Sequence, residues 1–261
     1  MRSTPTAAIV SLVCFVVGGA IALTGSYGVR LGWWELASGL KIAAPGFVIA
    51  IGGSIAGLLW LWRALSSNNS AGWRIATAGL VGSLLIAYEP VNQARLYLLS
   101  PPIHDVSTDP EEPPSFDALL AQRADATNAP AYDGSKVVRY RGKQTQVALA
   151  QKTAYPEIKP YVALLNPKQD PSVHPVNILF WRGFARAKEA GFAIAAYNEH
   201  DGTIEGTHTS FWFGQIADVA IRVRPAGKIG ARLDIRAESR NGENDMGAAA
   251  AIVKDYLASL R

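Results

Sequence analysis

Cysteine is almost missing from this chain. Of 261 residues only Cys14 is one, so neither an intrachain disulfide nor a Cys-ligated structural zinc is available. Acidic side chains are scarce in the first 100 positions, which hold two Glu, six Lys/Arg and no histidine. Catalytic signatures are missing throughout: no His-x-x-x-His, Gly-x-Ser-x-Gly, Walker or Rossmann pattern occurs. The sequence therefore names no catalytic residue, metal ligand set or cofactor, and tells where the protein sits better than what it does.

What is present is a chemical division at Pro101. Before it lie three long apolar runs. After it, 161 residues carry 19 Lys/Arg, 19 Asp/Glu and all four histidines. The formal net charge of +4 thus belongs to the first part, and the second is neutral. That distribution argues against a nucleic-acid partner. Basic residues beside apolar runs orient helices and meet anionic lipid headgroups. The second part is long enough for one hydrophobic core.

The runs read as membrane spans at about 7–24, 43–62 and 73–89, inside an anchor of residues 1–99. Ala43–Trp62 is uncharged over 20 residues, the length that crosses roughly 30 Å of hydrocarbon. Trp33, Trp34, Trp60, Trp62 and Trp73 fall at or near the ends of the runs, where amphipathic aromatics settle in a bilayer. The third run, ended by Glu89-Pro90, has the composition to continue as an interfacial helix through Leu99. Gly53 with Gly57, and Gly79 with Ser83, keep the spacing that lets helices approach closely, and predict packing of the three on one another as readily as dimerisation. The first run is expected to be retained rather than cleaved as a signal peptide, because no clean Ala-x-Ala site ends it. Lys and Arg divide three against three across the membrane. The free α-amino group and the short loop Ala64–Gly72 then predict a cytoplasmic amino terminus. The expected location is the inner membrane of a two-membrane bacterium, multi-pass, with the soluble domain in the periplasm.

Residues 100–114 read as a linker, from Pro101-Pro102 and Asp109-Pro110-Glu111-Glu112-Pro113-Pro114, lying extended along the domain or leading away from the bilayer. The soluble domain is expected over 115–261. A short helical stretch runs from Ser115 to Gln122, and a loop-rich region follows, with turn signals at Asp133-Gly134, Asn166-Pro167 and Asp170-Pro171. Lys136–Tyr140 and Gln144–Ala148 alternate as edge strands do. From Pro175 the apolar spacing predicts a helix to Gly191, then a strand at Phe192–Tyr197. Asp201-Gly202 turns the chain into Thr203–Phe213. A second hairpin pairs Asp218–Arg224 with Ala231–Ser239 through Pro225-Ala226-Gly227-Lys228. A last helix, capped by Asp245 or Asn244, carries the stripe Ala249, Ile252, Val253, Tyr256, Leu257 and Leu260. The fold class is α+β: three transmembrane helices, then an antiparallel sheet with helices packed on one face.

The last strand gives the best functional clue. Arg232, Asp234, Arg236, Glu238 and Arg240 share one face, and Leu233, Ile235 and Ala237 the other. The first reading is a solvated face of cross-strand ion pairs, with Arg222 and Arg224 on the neighbouring strand. The alternative is an anion site, where Arg236 and Arg240 converge with Ser239 and the amides that open the last helix. Asp218 would supply a carboxylate if the site were a hydrolase. His208, between Thr207 and Thr209 with Glu205 on the opposite side, reads as a satisfied histidine before a ligand-binding one. Phe211-Trp212-Phe213-Gly214 reads as core, or as the lining of an apolar pocket.

Ile204-Glu205-Gly206-Thr207, Phe211-Trp212-Phe213-Gly214, Asp218-Val219-Ala220-Ile221-Arg222-Val223, Asp234-Ile235-Arg236, Ser239-Arg240-Asn241-Gly242 and Asp245-Met246-Gly247 follow one another in a fixed order. With Tyr155-Pro156 and the Pro101–Asp105 entry, this series resembles the longer, membrane-anchored members of the bacterial family called domain of unknown function fourteen ninety-nine. Two positions depart from the pattern: Ala217 stands where an acidic residue is usual, and Ala237 where a serine is. The resemblance implies an architecture and no reaction, cofactor or partner. The expected function is a membrane-anchored binding or assembly module that meets a protein or envelope partner besides membrane lipids. A carrier of a lipid or small anionic ligand is the alternative. An enzyme using Arg236, Arg240 and Asp218 comes last.

Overall fold

The computed structural model describes residues 6–67, 71–164, 174–227 and 229–261. The turn signals at 166–167 and 170–171, the centre of the 64–72 loop and Lys228 lie outside them. The chain forms two compact units, Met1–Leu98 with Phe211–Gly214, and Leu99–Ser210 with Gln215–Arg261.

The first unit holds α1 (Thr6–Arg30), α2 (Leu36–Ser67) and α3 (Trp73–Leu99), all three long and apolar enough to cross a membrane. Each runs past the span expected from hydropathy, and α3 continues through Pro90 to Leu99. Their inward faces are small. A methyl on Gly46 would stand 2.5 Å from the Gly18 carbonyl oxygen, and one on Gly79 2.5 Å from the Leu12 amide nitrogen. The Ser11 hydroxyl donates to the Gly53 carbonyl at 2.9 Å. Val16, Val48, Ile55 and Leu85 stay exposed. Large apolar groups outward and small ones inward is how helices pack in lipid, where close van der Waals contact replaces the hydrophobic drive.

The second unit is built on one sheet. Its strands are β1 (Asp105–Ser107), β4 (Tyr161–Leu164), β5 (Ala193–Asn198), β6 (Thr203–Thr209), β7 (Ile216–Pro225) and β8 (Gly230–Ser239), in the antiparallel order β1-β8-β7-β6-β5. β4 shares the edge of β8 with β1, pairing residues 230–233 where β1 pairs 236–238. β2 (Val137–Tyr140) and β3 (Lys143–Gln146) form a separate ribbon, followed by α4 (Val147–Ala154). α5 (Pro175–Glu189) opens with proline in its first turn and stops at Gly191, whose φ of +78° suits a residue without a Cβ. Gly202 at +67° turns β5 into β6. α6 (Ala248–Ser259) closes the chain.

One face of the sheet carries the core. Leu233, Ile235, Ala237, Val219, Ile221 and Val223 lie under α5 and α6, against Leu179, Phe180, Val253 and Tyr256. Each large apolar side chain buried there contributes about 1.5–3 kcal/mol relative to exposure. The α+β class with helices on one face is as the sequence predicts. The stretch 100–114 is more than a linker, because it contains β1 and buries Ile103, Val106, Ser107 and Thr108.

Candidate functional site

The register across the sheet sets three carboxylates abreast. Asp105 on β1 lies opposite Glu238 on β8, and Glu238 opposite Asp218 on β7. Side chains so placed are roughly 5 Å apart. Asp218 and Glu238 are wholly buried and Asp105 nearly so. Three desolvated like charges in a row would open the sheet if left alone.

Three arginines neutralise them. Arg123, just after a 3-10 turn at Ala118–Gln122, divides its guanidinium: Nη1 pairs with Asp218 Oδ2, and Nη2 donates to Glu238 Oε1 at 2.9 Å. Arg236 grips Asp105 with Nε on Oδ1 at 2.9 Å and Nη2 on Oδ2 at 2.7 Å, and its guanidinium lies 4.4 Å from the Phe116 ring centroid. Arg240 places Nε and Nη2 on Asp218 Oδ1 at 2.9 and 2.7 Å. Burial, then the neighbouring Asp105, push the Glu238 carboxyl up to about 7, against the pull of Arg123 and Arg236. Burial raises Asp105 too, although Arg236 opposes it.

A second group repeats the balance. Asp234 meets Arg232 at 2.8 Å, Arg224 at 3.3 Å and Arg222 at 3.8 Å, and Asp109 reaches Arg232 at 2.7 Å. Glu205 accepts the backbone N–H groups of Asp117, Ala118 and Leu119 at 3.0, 3.0 and 3.1 Å, holding the 3-10 turn against the sheet. The charged face is therefore not the solvated surface that alternation suggests. Residues 109–132 lie across it, and Asp109, Arg123 and the Pro114 and Pro130 carbonyls supply most of its pairing, with Arg123 Nε, Arg222 Nε and the Tyr132 hydroxyl left buried without a partner among the described residues. Arginines engaged in this way offer no vacant fork to an anion.

The sheet also separates the residues of the expected anion site. Arg236, Arg240 and Asp218 belong to the charged face. Ser239 belongs to the helix face, where its hydroxyl donates to Asp245 Oδ2 at 3.2 Å. The N-cap position of α6 is Gly247 rather than the expected Asp245 or Asn244, but Asp245 accepts from the Gly247 and Ala249 amides, both at 2.8 Å, so the amides at the helix start are already engaged. Arg236 and Arg240 do not converge with Ser239 or with that helix start. Asp218 and Arg240 do meet, as a buried pair also held by Arg123.

His208 is placed elsewhere. Between α5, α6 and the ends of β6, β7 and β8 lies a cleft of about 470 Å³ lined by His208, Phe192, Tyr256, Ala251, Asp255 and Arg186 among others. Beneath it Phe192 and Tyr256, both buried, stack at 5.8 Å, and His208 meets Phe192 edge-on at 6.1 Å. The accessible apolar lining is Ile216, Ala248, Ala251 and Ile252. The Tyr256 hydroxyl is spent on the Gly183 carbonyl at 2.9 Å. Burial lowers the His208 pKa, opposed by the charge of Asp255, so the ring is neutral at pH 7. Ala217 lines this cleft and Ala237 lies in the core. Phe211–Gly214 belongs to the helical unit and not to the sheet core or the cleft.

Three participants escape sequence reasoning. Arg123 and Asp105 sit in loop-like stretches without periodicity. Asp255 lies on the polar side of α6, where a carboxylate attracts no notice. No group of three or more His, Cys, Asp or Glu suited to a metal occurs among the described residues.

Residues 105–260 match the family described as protein of unknown function (DUF1499). No curated protein matches the chain. The matched segment runs from β1 through α6 and takes in both the ion-pair layer and the cleft. This chain, carrying three helices apolar enough to cross a membrane ahead of that domain, belongs to the DUF1499 family.

Proposed function

We propose that the protein is a membrane-tethered binding module whose recognition site is the cleft beside His208. The observation that carries this reading is the contrast between the two faces of the sheet. The charged face is covered and largely paired within itself, while the helix face opens into about 470 Å³ lined by Ile216, Ala248, Ala251 and Ile252 with a few polar groups among them. Concavity, apolar lining and sparse polar groups are the ordinary form of a small-molecule site. Of the occupants that the sequence admits, a small amphipathic molecule fits this space best. An anionic ligand at Arg236 and Arg240, or hydrolysis through them and Asp218, would require breaking the buried pairs.

The setting proposed is a bacterial inner membrane, with the sheet domain on the periplasmic side. Membrane lipids surround the helices, and the cleft samples an envelope molecule. Native mass spectrometry of the full chain released from lipid nanodiscs tests the binding role. The wild type is expected to carry a small-molecule adduct that Ala251→Trp, which fills the cleft, does not. Identical spectra for the two proteins, with Ala251→Trp fully functional in its host, would remove the cleft from consideration.

A further inference from the structure

We infer that the cleft takes a small molecule with a single cationic nitrogen on an apolar body, seated with the nitrogen at Asp255. This rests on the cleft being the recognition site, and adds the chemistry of its occupant. The charged side chains of the lining are Arg186, Glu189 and Asp255, with the titratable His208 beside them. Arg186 and Glu189, one turn apart on α5, pair with each other at 2.5 Å and cancel. The Ser239 hydroxyl donates to Asp245, and the Ser259 hydroxyl to the Tyr256 carbonyl at 2.7 Å. His208 is half-buried and neutral. Asp255 remains, an exposed carboxylate on α6 that makes no ion pair among the described residues and lies within electrostatic reach of His208.

The lining therefore has a net charge of about −1, carried by Asp255. Anions are disfavoured there, reversing the preference that the arginine-rich strand suggests. A cation gains an ion pair with Asp255 and keeps its apolar part against Ile216, Ala251 and Ile252. Neutral His208 offers one hydrogen-bond acceptor and one donor, and does not repel the ligand.

The test uses three probes of equal length and different head: phenylpropylammonium, phenylpropanol and phenylpropanoate. Each is titrated calorimetrically into the full chain in nanodiscs of zwitterionic lipid, with empty nanodiscs subtracted. The ammonium is expected to bind about fivefold more tightly than the alcohol, the size of a partly exposed ion pair, and the carboxylate more weakly than both. Asp255→Asn should bring the ammonium to the affinity of the alcohol while leaving the alcohol unchanged. A preference for the ammonium under twofold, or one that survives Asp255→Asn, overturns the inference and leaves the cleft as a binding site. If no probe binds the wild type better than Ala251→Trp, the cleft reading itself falls and the inference with it.

Discussion

Asp218 and Glu238 face each other across neighbouring strands, both wholly buried, and the guanidinium of Arg123 is shared between them. Arg123 comes from neither strand. It arrives from the segment that crosses the charged face, so the same side chain neutralises the sheet and fastens its cover.

Replacing Arg123 by Met should therefore cost on the order of 3–5 kcal/mol, the usual penalty for leaving buried charge unpaired. Thermal and urea melts of the full chain measure it. Adding Asp218→Asn and Glu238→Gln to that variant should recover much of the loss, because the charges stranded by Arg123→Met are then gone. A triple variant no more stable than the single would refute the electrostatic cause.

Glu238 makes stability depend on pH in a defined sense. Its carboxyl moves from an ordinary 4.5 to about 7 on folding, so the folded state holds the proton more tightly than the unfolded one. Its contribution is complete below about 4.5 and is lost as the pH rises through about 7, by on the order of 3 kcal/mol in all. Asp105, also raised, adds in the same direction. The exposed Glu112 and Asp133, held low by Arg224 and Ser135, act oppositely and only at acid pH. Melting temperatures recorded from pH 5 to 8 should fall more steeply for the wild type than for Glu238→Gln.

Arg236 and Arg240 should differ when changed separately to Gln. Arg236 is buried, grips Asp105 with two nitrogens and lies over Phe116, so its loss is expected to cost about 3 kcal/mol or more. Arg240 is less buried, and Asp218 keeps Arg123 without it. About half that cost is expected. Equal melting temperatures for the two variants would contradict the ranking.

In the helical unit, Gly46→Val should disrupt packing, since its side chain would meet the backbone of Gly18 and Ala22. Gly52→Val should be silent, because nothing lies within 4 Å of a Cβ there. Limited proteolysis in detergent separates the two outcomes.

Topology is checked by fusing alkaline phosphatase and a fluorescent protein separately to the carboxy terminus. Phosphatase activity without fluorescence is expected. The opposite pattern would place the sheet domain in the cytoplasm.

Much of this architecture is legible in the sequence where one period repeats for long enough. Unbroken hydropathy marks the three long helices, 3.6-residue spacing marks α5 and α6, and alternation with Asp201-Gly202 marks β5 to β8. Of the short elements, β2 and the 3-10 turn at Ala118–Gln122 are marked, but others are not. β1 is three residues among prolines, β4 is four residues after Pro160, and α4 begins inside the alternating run at Gln144–Ala148. The site is legible to the same extent. Charges on alternate residues place Arg232 through Arg240 on one face, but their burial depends on a cover of Pro-rich, aperiodic chain whose position no local pattern encodes. His208 is visible as a candidate, whereas Asp255 gains meaning only once α6 and β6 stand on either side of the same cleft.

The shared edge of β8 has a consequence for synthesis. β1 is among the first parts of the domain to leave the ribosome, yet residues 105–107 can pair only with 236–238, made about 130 residues later. β4 waits for the same strand. Most of the domain must be produced before β8 exists, so the part emerging first stays unpaired until then. Closing such long loops slows folding. The two edge segments therefore find their partner only once residues 230–239 have been made.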